Sequence, residues 1–110
     1  MNHGLPAATV ERLQRVLAQY PEVEQAVLYG SRAKGTYRPG SDIDLTLCGG
    51  GLNHSLLTRI DHELDDLLLP YRIDLSLMSD LTHPALLDHI RRVGFVLYEK
   101  RAAPPEAQPA

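Results

Sequence analysis

The chain has 110 residues, 44% of them apolar, with eleven Lys+Arg against fourteen Asp+Glu for a net charge of −3. That length supports one domain around a single core, and the acidic balance excludes a broad nucleic-acid surface, though not one nucleotide held by local cations. Cys48 has no partner for an internal disulfide, no apolar run approaches the ~18 residues that span a membrane, and no secretion signal is evident, so a reduced cytoplasm is the expected setting.

Residues 1–5 are expected to form a flexible lead, residues 6–99 the domain, and residues 100–110 a disordered tail with nothing to bury. Val10, Leu13, Leu17 and Tyr20 recur at helical spacing between Pro6 and Pro21, which predicts a helix over 6–20. A strand over 24–29 follows, then a Gly30-Ser31 turn, a short helix over 31–35, a turn at Tyr37-Arg38-Pro39-Gly40, and a second strand over 42–48. Gly49-Gly50-Gly51 breaks the chain. Asn53 then caps a helix from 54 to 68, with Leu57, Ile60, Leu64 and Leu67 as its buried stripe. A third strand takes 71–77. Leu86, Leu87, Ile90 and Val93 mark a helix that begins near Pro84 and stops at Gly94, and Phe95-Val96-Leu97-Tyr98 is a last strand. The expected architecture is an α/β (α+β) fold, a small mixed β-sheet of about four strands with helices packed on one face and the other face open.

The chemistry concentrates between Gly30 and Leu47. In a strand, residues i and i+2 share a face, so Asp42 and Asp44 project together, roughly 6–7 Å apart, while Ile43, Leu45 and Leu47 face a core. A solvated outer face explains one such pair equally well. A second stretch, Tyr71 to Met78, repeats the alternation: Ile73, Leu75 and Leu77 share one face, and Arg72, Asp74 and Ser76 the other. If the two strands lie side by side over one core, Asp74 joins Asp42 and Asp44. Three carboxylates that close call for a cation, and hard divalent ions such as Mg²⁺ suit oxygen ligands.

The Gly30-Ser31 turn offers backbone N–H groups to phosphate oxygens, with the Ser31 hydroxyl, Arg32 and Lys34 beside them. An ordinary turn with solvated basic residues reads the same segment. Gly30 and Gly35 have P-loop spacing, but Thr36-Tyr37 follows where Lys-Ser/Thr is required, and no G-x-G-x-x-G occurs. His62 with Asp66, and Arg91 with Arg92, read as solvated helix faces. Cys48 reads as a small strand-end residue.

Gly30-Ser31, ten intervening residues, then Asp42-x-Asp44 resembles the signature of the polymerase-β-type nucleotidyltransferases. Gly30-Ser31-Arg32-Ala33-Lys34-Gly35 and Ser41-Asp42-Ile43-Asp44-Leu45 are similar above all to the minimal nucleotidyltransferase (MNT) proteins, which pair with a helical HEPN partner. The resemblance spans residues 8–99 and places the family's third acid at Asp74. It implies Asp42, Asp44 and Asp74 as catalytic and metal-binding residues, Gly30, Ser31, Arg32 and Lys34 as nucleotide-binding residues, Mg²⁺ as cofactor and ATP as substrate. It further implies transfer of AMP onto a hydroxyl, in the antitoxin branch a tyrosine of a HEPN RNase toxin. Larger relatives carry extra domains for the acceptor. Little chain follows the last strand here, so a partner, in a homo- or hetero-oligomer, is expected to supply the acceptor. Two alternatives remain: a nucleotide-binding module that acts on a helical protein by contact alone, and an aminoglycoside-like small-molecule nucleotidyltransferase.

Overall fold

The computed structural model describes residues 3–100. Helix α1 covers Ala7–Ala18 and begins directly after Pro6, whose extended backbone (φ −60°, ψ 149°) leads into the first turn. Its buried residues Thr9, Leu13, Val16 and Leu17 follow the three-and-four spacing of one helix face. Tyr20 lies just past the helix and is also buried.

Strand β1 (Gln25–Tyr29) leads into a single helical turn, α2 (Ser31–Lys34), and a loop returns the chain to β2 (Ile43–Cys48). Helix α3 (His54–Asp65) starts at Asn53, whose side chain accepts the Leu56 N–H at 2.8 Å. That cap satisfies one of the donors a helix start leaves open. Strand β3 (Ile73–Leu77), a 3-10 turn over Met78–Asp80, helix α4 (Pro84–Val93) and strand β4 (Phe95–Glu99) complete the order.

The four strands form one mixed sheet in the order β3-β2-β1-β4. β1 runs antiparallel to both β2 and β4, while β2 and β3 are parallel. A parallel pair needs a crossover, and α3 is that crossover. The core lies on one side of the sheet. There Ala26, Leu28, Ile43, Leu45, Leu47 and Leu77 meet Leu13 and Leu17 of α1 and Ile60 and Leu64 of α3. No helix among the described residues is long and apolar enough to cross a membrane.

The structure departs from the sequence expectation in five places. The helix expected to 68 ends at Asp65; Leu68 takes φ 54° and is 87% exposed, unwinding the chain ahead of Pro70. The 3-10 turn was not anticipated. Helices cover more than one face: α4 packs on the opposite side of the sheet from α1 and α3, where Ile90 and Val27 are buried apart from the main core. Gly94 permits that approach, because a Cβ there would stand 2.9 Å from Val27 Cγ1 and closer still to the Ile90 carbonyl oxygen. Residues 3–5, assigned to the flexible lead, pack on the fold, with Leu5 in the core cluster. Lys100, the first residue of the expected tail, donates its N–H to the Glu24 carbonyl at 2.8 Å. The rest of the tail, with Met1 and Asn2, lies outside the described residues.

Candidate active site

Gly30 closes β1 with φ 78° and ψ −154°, a backbone region that residues with a Cβ rarely adopt. A Cβ at this position would collide with Asp44 Oδ2, so the absent side chain lets the turn settle onto that carboxylate. One helical turn follows, and Gly35 ends it in the left-handed conformation at φ 81° and ψ 10°. Within the loop that returns to β2, Arg38 donates its N–H to Ser41 Oγ at 2.7 Å, and the Ser41 N–H reaches the Arg38 carbonyl at 2.9 Å.

Sheet pairing then sets the acids. Asp44 stands opposite Tyr29 on β1 and beside Asp74 on β3. Asp42 is exposed and lies one residue before β2, whose first residue docks on the neighbouring segment by Ile43 N–H to Arg72 O at 2.8 Å. Asp44 is half-buried and Asp74 is exposed. Burial, reinforced by the charges of Asp74 and then Asp42, holds the Asp44 carboxyl above the usual carboxylate range, against an opposing pull from His89. The Tyr29 phenol is likewise raised by burial, with Asp44 and Asp74 adding to the effect. As placed, the side chains do not form the expected three-acid cluster: no group of three or more His, Cys, Asp or Glu among the described residues converges to hold an ion. The pairing brings Asp44 and Asp74 together, and Asp42 is coupled to them through its charge.

The basic residues divide. Lys34 is exposed and Ser31 half-buried beside the turn. Arg32, expected to reach a phosphate, is 1% exposed. Its Nε and Nη2 donate to the Ser41 carbonyl at 3.2 and 3.0 Å, and Nη1 donates to the His3 carbonyl at 3.0 Å. The guanidinium also lies over the rings of Tyr37 and Tyr71, 5.1 and 4.8 Å from their centroids. In this structure its charge faces inward and its hydrogen bonds go to the backbone.

The turn's backbone is not wholly open either. Gly30 donates its N–H to His89 Nε2 at 3.0 Å. An accepting Nε2 leaves the proton of a neutral ring on Nδ1. The His89 ring also meets Tyr29 edge-on, with centroids 6.4 Å apart. The sequence reading passed over His89. The signal was present, because position 89 flanks the Leu86–Ile90–Val93 stripe that turns toward the sheet. Arg91 and Arg92 both pair with Asp88 at 2.8 Å on their own helix. A cavity of about 650 Å³ lies elsewhere, between α1 and β4, lined by Gln14, Arg15 and Tyr98 among others.

A family model described as polymerase beta, nucleotidyltransferase, matches residues 11–103. No curated protein matches the chain. A solved structure of a toxin–antitoxin with AMP-PNP aligns at TM-score 0.65 and 21% identity, over 88% of this chain and 76% of that one. A tri-AMPylated Shewanella oneidensis HEPN toxin in complex with MNT antitoxin gives 0.63 and 17%, over 84% and 71%. A MntA–HepT toxin–antitoxin structure gives 0.63 and 16%, over 86% and 74%. At these identities the likeness is one of fold.

Proposed function

The chain belongs to the polymerase β nucleotidyltransferase family, and from that premise we propose that it moves AMP from ATP onto a hydroxyl of a helical protein partner. The observation that carries this reading is the pairing of Asp44 with Asp74 across β2 and β3, directly beside the Gly30-Ser31 turn. The Asp44 carboxyl is raised first by burial and then by the charges of Asp74 and Asp42, so its ionised form gains from a cation placed beside it. Hard oxygen donors of this kind fit Mg²⁺, and Asp42, Asp44 and Asp74 are the residues that would hold it. When bound, magnesium would offset the charge of the acids and of the triphosphate.

The chain's own residues supply the rest. The Ser31 hydroxyl and the Lys34 ammonium hold the outer phosphates. An Asp74 carboxylate oxygen, exposed on the edge strand of the sheet, takes the proton of the acceptor hydroxyl. The acceptor oxygen forms a bond to the α-phosphorus, the bond from that phosphorus to the bridging oxygen breaks, and pyrophosphate leaves. The similar structures include one with AMP-PNP and one with an AMPylated HEPN toxin, which supports a HEPN-type protein as the acceptor. The resemblance of the Gly30-Ser31 and Asp42-x-Asp44 motifs to MNT proteins points to an RNase modified on tyrosine. This gives the chain the role of an antitoxin in the cytoplasm.

The test is incubation with ATP labelled at the α-phosphate and a co-expressed HEPN-type protein, in Mg²⁺ and in EDTA. Label should move onto that protein in Mg²⁺ alone, and Asp44→Asn should abolish it. A stable complex with no label would replace this reading with the contact-only module. Label on an aminoglycoside and not on the protein would replace it with the small-molecule enzyme.

A further inference from the structure

We propose that Arg32 is a positioning residue, a buried cation that holds the backbone leading into Asp42 and Asp74 and binds no phosphate itself. The inference rests on the reading that these acids serve nucleotide transfer.

A buried charge is costly unless its hydrogen bonds are met. Among the described residues no carboxylate pairs with Arg32. Its charge is met instead by two carbonyl oxygens and two ring faces. The positions of those partners matter. Ser41, gripped twice, immediately precedes Asp42, and Asp42 lies outside the ladder of β2. Its backbone is therefore fastened from two sides: by the Ser41 carbonyl to Arg32, and by the Ile43 N–H to the Arg72 carbonyl. Tyr71, under the guanidinium, immediately precedes Arg72 and lies on the segment leading into β3 and Asp74. Tyr37 comes from the 36–42 loop and His3 from the start of the chain. One planar group thus joins the segments that feed both acid-bearing strands. Lysine has the charge but neither the two-pronged donor nor the flat face.

Arg32→Lys separates positioning from phosphate binding. Three readouts are needed: the thermal melt, amide exchange at residues 40–43 in the metal-free and nucleotide-free protein, and the kcat and KM for ATP in label transfer. The expected result is a folded variant whose exchange at Asp42 and Ile43 accelerates about tenfold, with kcat down about tenfold and KM within about twofold. Unchanged exchange with a raised KM would overturn the proposal, because a phosphate contact behaves that way. If Arg32→Lys does not fold, Tyr37→Leu removes one ring and spares the carbonyl bonds. It should accelerate exchange at the same residues, and exchange at the wild-type rate would refute the inference. A wild type that transfers no label refutes the transferase reading, while the exchange measurement still judges Arg32.

Discussion

Replacing Asp74 with Asn should stabilise the metal-free protein. Asp44 and Asp74 are direct partners across β2 and β3, and side chains so paired begin about 5 Å apart. Two unit charges roughly 6 Å apart repel by about 0.7–1.4 kcal/mol for an effective dielectric between about 80 and 40, suited to an exposed partner. The Debye length at 0.1 M salt is about 10 Å, so ordinary buffer screens this only in part. For a domain of this size the gain corresponds to a rise in Tm of roughly 3–10 °C. The pH dependence carries a sign. Asp44 titrates above its ordinary value in the folded chain. As pH rises past that ordinary value, the unfolded chain loses its proton first, so the folded chain binds more protons and stability falls with pH. The repulsion belongs to the ionised pair, so it is present at neutral pH and is lost in acid as Asp44 takes up its proton. Urea unfolding in EDTA should show Asp74→Asn more stable than wild type at pH 7, with the difference shrinking as pH falls and Asp44, raised above its ordinary value, takes up its proton. Adding Mg²⁺ should stabilise the wild type more than the variant. A variant less stable than wild type at pH 7 in EDTA would refute the repulsion argument and leave Asp74 as a structural residue.

Gly30→Ala forces a Cβ into a positive-φ backbone and against Asp44 Oδ2. It should cost roughly 1–3 kcal/mol in urea unfolding and abolish label transfer; a fully active variant would contradict the close approach of turn and carboxylate. Tyr20 donates to Glu63 Oε1 at 2.5 Å, and burial, then that bond, push its phenol up to about 12. Because the folded value is the higher one, the stability Tyr20 contributes is complete below about pH 10 and is lost as pH rises from there to about 12. Tyr20→Phe should flatten that part of the stability profile, and identical alkaline slopes in the two proteins would rule the linkage out.

Much of the fold was legible because its signals are local. Alternation placed β2 and β3 to within two residues of their observed starts, and the parity of Asp44 and Asp74 against Ile43, Leu45 and Leu75 assigned both acids to the face opposite the core. Asn53 announced the start of α3, and its side chain makes the expected cap. The helical stripes named Leu13, Leu17, Ile60 and Leu64, all buried. Periodicity reports which side of an element is apolar, and it does not say which side of a sheet that element will cover. The side of the sheet taken by α4 was therefore decided in three dimensions, by Val27 on the face opposite the core and by the room that Gly94 leaves.

Arg32 shows the same boundary within the site. In sequence it is a cation two residues after a glycine, and nothing distinguishes it from Lys34 as a ligand for phosphate. In the structure Lys34 is exposed and Arg32 is enclosed. The groups that enclose it, His3, Tyr37, Ser41 and Tyr71, come from segments up to 39 positions away in the chain. His89 reaches Gly30 from 59 positions away. The sequence by itself determined the order of the α-helices and strands, the shared face of Asp44 and Asp74, and the family, because side-chain parity and motif spacing are properties of neighbouring residues. Only the tertiary structure decided which cation is buried and which backbone donor is already taken, because desolvation and hydrogen bonding depend on what distant segments bring to the same place.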